Sequence, residues 1–246
     1  MSRRLLYATS NPGKLMEARQ IMATFGLDLL APQDIGLGLD VPETGTSLED
    51  NARLKAEAYL PLVPPDVVVI GDDTGVEIDA LNGEPGIYVR RWIGRHMTDE
   101  EIIDHVLSRM AHVPPGERGA QFRAVLALGV PGRKLELFEG TLRGVILEQA
   151  DPLRIPGFPF ESVFFVPEWN RLLGEAYDLS PAEKQRFKIR STVERSNSHL
   201  KDWLIPSKIM VRGPDKVSHC LMTGVLCLAA IKILQYCILP GLQKTA

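Results

Sequence analysis

An apolar run, Leu5-Leu6-Tyr7-Ala8, passes through Thr9-Ser10-Asn11-Pro12-Gly13-Lys14 into a segment where Leu15, Ala18, Met22 and Phe25 recur at helical spacing, up to Gly26. A buried strand that turns once into an amphipathic helix commits this part of the chain to an α/β arrangement. The turn also suits an anion, because unpaired N–H groups at a helix start and the helix dipole both favour negative charge. Lys14 adds a full positive charge in the first helical turn. The segment is not a Walker P-loop: its first glycine is absent, and Leu15 stands where Ser or Thr would meet magnesium. An ordinary strand–helix connection stays open as the alternative.

The rest of the chain continues the alternation. Ser47-Leu48-Glu49-Asp50 has the pattern of a capping box opening a helix to about Leu60. Val67 to Ile70 reads as a short strand buried on both faces. Val76, Ile78 and Ala80 alternate with acidic residues in a second, half-buried strand ending at Asn82-Gly83. Thr98 with Glu101 caps a helix carrying Ile102, Val106, Leu107 and Met110. Alternating Ala120 to Leu128, then Leu135 to Phe138, Leu142 to Leu147 and Phe160 to Val166 read as further strands. Ser180-Pro181-Ala182-Glu183 starts a last helix. The order predicts an α/β domain with a mixed sheet and a substantial antiparallel portion.

With 246 residues and 45% hydrophobic content, the chain can bury a sizeable core. A net charge of −3 gives no broad attraction to nucleic acid or to an acidic membrane. Arg3 and Arg4 are not followed by a long apolar stretch, so no secretory signal is expected. All three cysteines, Cys220, Cys227 and Cys237, lie near the C-terminus, and a body without cysteine fits a reducing cytoplasm. No histidine pair has zinc-binding spacing. After about Pro206 the composition changes, and Cys220 to Leu239 is almost continuously apolar over about the length of a membrane span. Lys232 and Gln235 within it weigh against a membrane anchor and towards a packed or oligomer-contacting helix, or an unrelated tail. The expected domains are residues 1–205 and an apolar extension, 206–246.

Asp72-Asp73-Thr74-Gly75 follows the buried strand, so both carboxylates are expected at a strand's carboxyl end, where ligands bind in open α/β sheets. Such a pair can hold Mg²⁺ and direct a water; a plain polar turn is the alternative. Glu43 sits in the loop before the capped helix. On that helix Asn51 and Lys55 are i and i+4 and share a face. Lys14, Glu43, Lys55 and Asp73 together supply what phosphoryl transfer needs: cations for phosphates, carboxylates for metal, and a base for water.

At this point the chain resembles the inosine triphosphate pyrophosphatase (XTP/dITP diphosphatase) family. The resemblance is carried by Ala8 to Lys14, Glu43-Thr44-Gly45, Asn51 to Ala56 and Asp72 to Tyr88. Ala120-Gln121-Phe122, Leu126-Ala127-Leu128, Phe138-Glu139-Gly140, Gly157-Phe158 and Leu179 to Lys184 continue it in order, over roughly residues 4 to 204. It implies an elongated mixed sheet flanked by helices, two lobes with a central substrate cleft, and a cytoplasmic homodimer. It implies Mg²⁺-dependent hydrolysis of non-standard purine nucleoside triphosphates (ITP, dITP, XTP) to the monophosphate and pyrophosphate. By position, Thr9, Ser10, Asn11, Pro12, Gly13, Lys14 and Lys55 would hold phosphates. Glu43 and Asp73, with Asp72 beside them, would hold metal, and Asp73 would activate water. Thr74 would contact the substrate, Phe158 would stack on the base and Lys184 would lie beside base or ribose.

Departures gather on the base side. Where the family reads Gly-Phe-Gly-Tyr/Trp-Asp-Pro, this chain has Gly157-Phe158-Pro159-Phe160-Glu161-Ser162. Lys188-Ile189-Arg190 replaces Ser-His-Arg, leaving Lys188 and Arg190 as donors, while Ile189 also fits an apolar helical stripe with Ala182, Val193, Leu200 and Leu204. Two alternatives stay open: the same reaction with a different or broader base, and a nucleotide-binding protein with little turnover.

Overall fold

The computed structural model describes residues 4–24, 27–168 and 170–178. Phe25 and Gly26, the helix start at Ser180, the apolar stripe from Ala182 to Leu204, the candidate site residues Lys184, Lys188 and Arg190, and the extension from 206 lie outside them. Among the described residues, eight strands form one mixed sheet: β1 (Arg4–Tyr7), β2 (Asp28–Leu30), β3 (Val68–Ile78), β4 (Pro85–Gly86), β5 (Gly119–Gly129), β6 (Glu136–Ile146), β7 (Phe164–Val166) and β8 (Arg171–Leu172). Their order is β2-β1-β3-β5-β6-β7-β8, with β4 also paired to β3. The described residues also hold three α-helices: α1 (Pro12–Thr24), α2 (Leu48–Tyr59) and α3 (Asp99–Arg109). Among the described residues no helix is long and apolar enough to cross a membrane.

The chain divides into two compact units. The first holds the described residues up to Thr74 together with Ala124–Gly140; the second holds Gly75–Arg123 and the described chain from Thr141. In the first, β1 lies parallel to both β2 and β3, with Leu5 opposite Val68 and Tyr7 opposite Ile70. Leu5, Leu6 and Tyr7, like Val69 and Ile70, are fully buried, which is why these strands read as unbroken apolar runs. Ser47 Oγ accepts from the N–H of Asp50 to open α2, and the Asp50 carboxylate takes a bond from the Thr46 hydroxyl. In the second, Thr98 and Glu101 form the full capping box of α3, whose Ile102, Ile103 and Val106 are buried. Antiparallel pairs join β6 to β7 and β7 to β8.

Three expectations need correction. The strands expected over Val67–Ile70 and Val76–Ala80 merge into one 11-residue strand, β3 (Val68–Ile78), followed by a 3-10 turn at Asp79–Leu81, so Asp72-Asp73-Thr74-Gly75 lies inside a strand and not at its carboxyl end. Polar residues signal a break only where nothing satisfies them, and here neighbouring side chains do. Leu135–Phe138 and Leu142–Leu147 likewise merge into β6, Gly140 being carried within the ladder. Residues Pro159–Ser162 form a 3-10 turn, so the strand expected from Phe160 begins at Phe164.

Candidate active site

The close approach of α2 to β3 decides where the chemistry of the first unit lies. A Cβ on Gly71 would stand 2.3 Å from the Ala52 carbonyl oxygen and 2.6 Å from the Ala56 nitrogen. Only glycine allows the helix backbone so near the strand, and Ala52 and Ala56 add no bulk on that face. One turn of α2 therefore projects Asn51 and Lys55 onto the middle of β3. Asn51, fully buried, donates from Nδ2 to Asp73 Oδ2 at 2.9 Å, while its Oδ1 accepts from the N–H of Gly45 at 2.9 Å. One amide thus ties the Glu43 loop to the Asp73 carboxylate. Lys55 Nζ donates to the Asp72 carbonyl at 2.8 Å and pairs with Glu43 at 2.7 Å, with Asp73 Oδ1 3.8 Å away. Tyr59, the last residue of α2, anchors the same loop through its hydroxyl on the Leu39 carbonyl at 3.0 Å.

Successive residues of a strand project to opposite faces, and the two aspartates accordingly have different partners. Asp72 is fully buried and pairs with Lys14 Nζ at 2.5 Å; the same ammonium lies 3.4 Å from the Thr74 hydroxyl. Burial pushes the Asp72 carboxyl up, but Lys14 and Lys55 outweigh it and hold it below its ordinary value. Asp73 goes the other way. Burial is its largest influence, Glu43 adds to it, and Lys55, Asn51 and Lys14 do not compensate fully, so its carboxyl is raised. Burial also works against the Lys55 ammonium, yet Asp72, Asp73 and Glu43 together raise it.

At the turn before α1, Asn11 Oδ1 accepts from the N–H groups of Gly13 (2.9 Å) and Lys14 (3.3 Å), and the Asn11 carbonyl accepts from Leu15. Asn11 N–H itself donates to the Thr9 hydroxyl at 3.2 Å, and Pro12 has no N–H to offer. The unpaired donors expected at this helix start are therefore capped from within, an Asn N-cap whose signal is the Asn11 side chain itself. Ala8 N–H donates to the Ile70 carbonyl at 2.7 Å, so the turn leaves β1 beside the stretch of β3 that carries Asp72.

Thr9 to Lys14, Glu43, Lys55, Asp72, Asp73 and Thr74 all belong to the first unit. Phe158, Phe160 and Glu161 belong to the second. Phe160 and Glu161 are each 3% exposed, and the Phe160 ring meets Phe122 edge-on at 6.2 Å, so both are core residues of that unit. Phe158 is half-buried and lines a pocket with Thr98, Ile103, Arg154 and Pro156. Asn51 stands outside the candidate set read from the sequence; its signals there are the i, i+4 relation with Lys55 and its place at the start of the matching stretch Asn51 to Ala56. Among the described residues no group of three or more His, Cys, Asp or Glu side chains gathers as a ready-made metal cluster.

Fold and cluster define an α/β protein with a mixed sheet and a buried lysine–carboxylate centre between one helix and one strand. The profile of the Ham1 family matches residues 5–195. The chain belongs to that family. It is 34% identical over 195 residues, 79% of this chain and 95% of the relative, to a dITP/XTP pyrophosphatase of Bacillus subtilis (strain 168). It is 39% identical over 193 residues, 78% of this chain and 89% of the relative, to a dITP/XTP pyrophosphatase of Thermus thermophilus. The solved Ham1 protein of Staphylococcus aureus superposes with a TM-score of 0.61 at 29% identity, over 80% of this chain and 100% of that one.

Proposed function

We propose that this protein is a nucleoside triphosphate pyrophosphatase that hydrolyses non-standard purine nucleotides such as ITP, dITP and XTP to the monophosphate and pyrophosphate. The observation that carries the reading is the convergence of Lys55 on Glu43 and Asp73, with Asn51 holding the Asp73 carboxylate. The naming of relatives as dITP/XTP pyrophosphatases supports the substrate class.

Asp73 is the base in this reading. Its raised carboxyl moves towards what a general base needs, and Asn51 fixes one oxygen so that the other faces the Lys55 side. Lys55 stabilises charge on the phosphate oxygens, and Lys14, shared with Asp72, contributes a second cation. Thr9 to Gly13 and Thr74 border the phosphates. The residues fit Mg²⁺: Glu43 and Asp73 are two carboxylates around one point, and that ion binds through one or two carboxylates plus phosphates and water. Bound there, it would supply charge to polarise the phosphate oxygens. Asp72, already neutralised by Lys14 and aimed elsewhere, acts by positioning that lysine and not as a metal ligand.

Contacts of Phe158, Lys184, Lys188 and Arg190 with base or ribose belong to the same proposal, as do a homodimer and a cytoplasmic setting, whereas the buried Phe160 and Glu161 serve that loop by packing. The test is pyrophosphate release with Mg²⁺ over ITP, XTP, GTP and ATP. Asp73→Asn, which keeps shape and loses charge, is expected to reduce turnover by about 10²–10⁴-fold with the melting temperature retained. Near-normal release from that variant overturns the assignment. Because Ile189 offers no side-chain donor to a 6-oxo purine, appreciable hydrolysis of GTP beside ITP is expected in the same panel.

A further inference from the structure

In the second unit, one residue is gripped at both of its backbone polar groups by a single ion pair. The N–H of Gly157 donates to Asp99 Oδ2 at 2.7 Å, its carbonyl accepts from Arg90 Nη2 at 2.8 Å, and Arg90 Nη1 pairs with Asp99 Oδ1 at 2.5 Å. Gly157 has φ +87°, a left-handed conformation that suits glycine. The two jaws come from different segments. Arg90 belongs to the short 3-10 turn Val89–Arg91, and Asp99 is the first residue of α3, where the helix dipole favours a carboxylate. A second ion pair, Arg154 to Glu100 at 2.6 Å, ties the start of the same loop to the next residue of α3. The N–H of Phe158 also bonds back to the Ile155 carbonyl at 3.0 Å. The loop from Arg154 to Phe158 is therefore fastened to the first turn of α3 at two points, and its end is the half-buried aromatic ring.

We propose that the Arg90–Asp99 pair is a positioning element that fixes the Phe158 ring, and through it sets affinity for the nucleobase and discrimination among bases. This rests on the reading of Phe158 as the base-stacking side chain. Arginine suits the role because its planar fork can meet the aspartate and the Gly157 carbonyl at once. Arg90 and Asp99 belong to the second unit and the candidate phosphate-binding and catalytic residues to the first, so their effect is expected on binding and not on the chemical step.

The experiment is a double-mutant cycle on the full-length protein, with kcat and KM measured for ITP and GTP and folding checked by melting temperature. Phe158→Ala is expected to raise KM for both nucleotides. Arg90→Gln is expected to raise KM for ITP by about three- to tenfold and to change the ITP-to-GTP ratio, leaving kcat within about twofold, and to add little in the Phe158→Ala background. Asp99→Asn, which keeps an acceptor for Gly157 but weakens the pair, should fall between wild type and Arg90→Gln and serves if the latter does not fold. Equal effects of Arg90→Gln in both backgrounds, or a fall in kcat at constant KM, overturn the proposal. So does an unchanged KM in Arg90→Gln when Phe158→Ala raises it. An unchanged KM in Phe158→Ala is a separate outcome: it removes the base-stacking reading itself, and the positioning role with it.

Discussion

Gly71→Ala tests the geometry on which the centre depends. The added methyl would sit 2.3 Å from the Ala52 oxygen and 2.6 Å from the Ala56 nitrogen, both backbone atoms of α2, where ordinary contact begins near 3.4 Å. No rotamer can relieve a clash between backbone atoms and a Cβ, so helix and strand must separate by about 1 Å. Asn51 Nδ2 and Lys55 Nζ, now 2.9 and 2.8 Å from their acceptors, then move towards or beyond hydrogen-bond range. Overpacking costs about 1–3 kcal/mol, and leaving a buried amide under-satisfied adds about 1–3 kcal/mol. A total near 2–6 kcal/mol lowers the melting temperature by roughly 4–24 °C for a chain of this size. Turnover should fall more steeply, by about 10²-fold, since a 1 Å displacement of catalytic groups suffices for that. Thermal melts and pyrophosphate release measure both. Gly116→Ala, with nothing within 4 Å of its Cβ, is the neutral control. If Gly71→Ala melts and turns over like wild type, the close approach does not hold the centre together.

Other outcomes follow from single contacts. Lys14→Met leaves Asp72 buried without its nearest cation and should cost about 3 kcal/mol at neutral pH. Because the paired Asp72 carboxyl is depressed, that stabilisation is complete above pH 3.8 and is lost on further acidification, so the gap between variant and wild type should close there in melts taken against pH. Glu101, held down to about 2 by Arg95 and the Thr98 N–H, stabilises above pH 4.5 and loses this as pH falls towards 2. Glu101→Gln should therefore differ from wild type near neutrality and converge with it across that window. A chain ending near Pro206 is expected to keep its activity, since the family match stops at residue 195; a loss of folding would place the extension in the core.

Most of the first unit is legible in the sequence because its signals are local. Leu5 to Tyr7 and Val68 to Ile70 are uninterrupted apolar runs, and Ser47, like Thr98 in the second unit, announces its helix by capping. The errors arise where satisfaction is long-range. Asp72 and Asp73 read as a break in a strand because the partners that let the strand continue, Lys14, Asn51 and Lys55, lie 58, 22 and 17 positions away. Asn11 shows the reverse, a cap two and three residues from its donors that satisfies the groups an anion was expected to meet. Nothing in Gly71 itself says that a helix will press on it; Ala52 and Ala56 hint at it by their spacing alone. Phe160 looks like a ring free to meet a base, and only the structure turns it inward against Phe122.

The parallel pairing of β1 with β3 has a consequence for how the chain acquires function. Parallel neighbours cannot close through a tight hairpin, and the segment between them here includes α1, β2 and α2. Lys14 and Asp72 are separated by 58 residues, so their contact requires a long loop to close before any stabilisation is gained. Helix α2 alone carries Asn51 and Lys55, and β3 alone carries Asp72 and Asp73, but no early hairpin or isolated helix brings a cation of the cluster to its carboxylate. Recovery of turnover during refolding should thus trail the return of helical signal, making activity a reporter of the last long-range pairing and not of secondary structure.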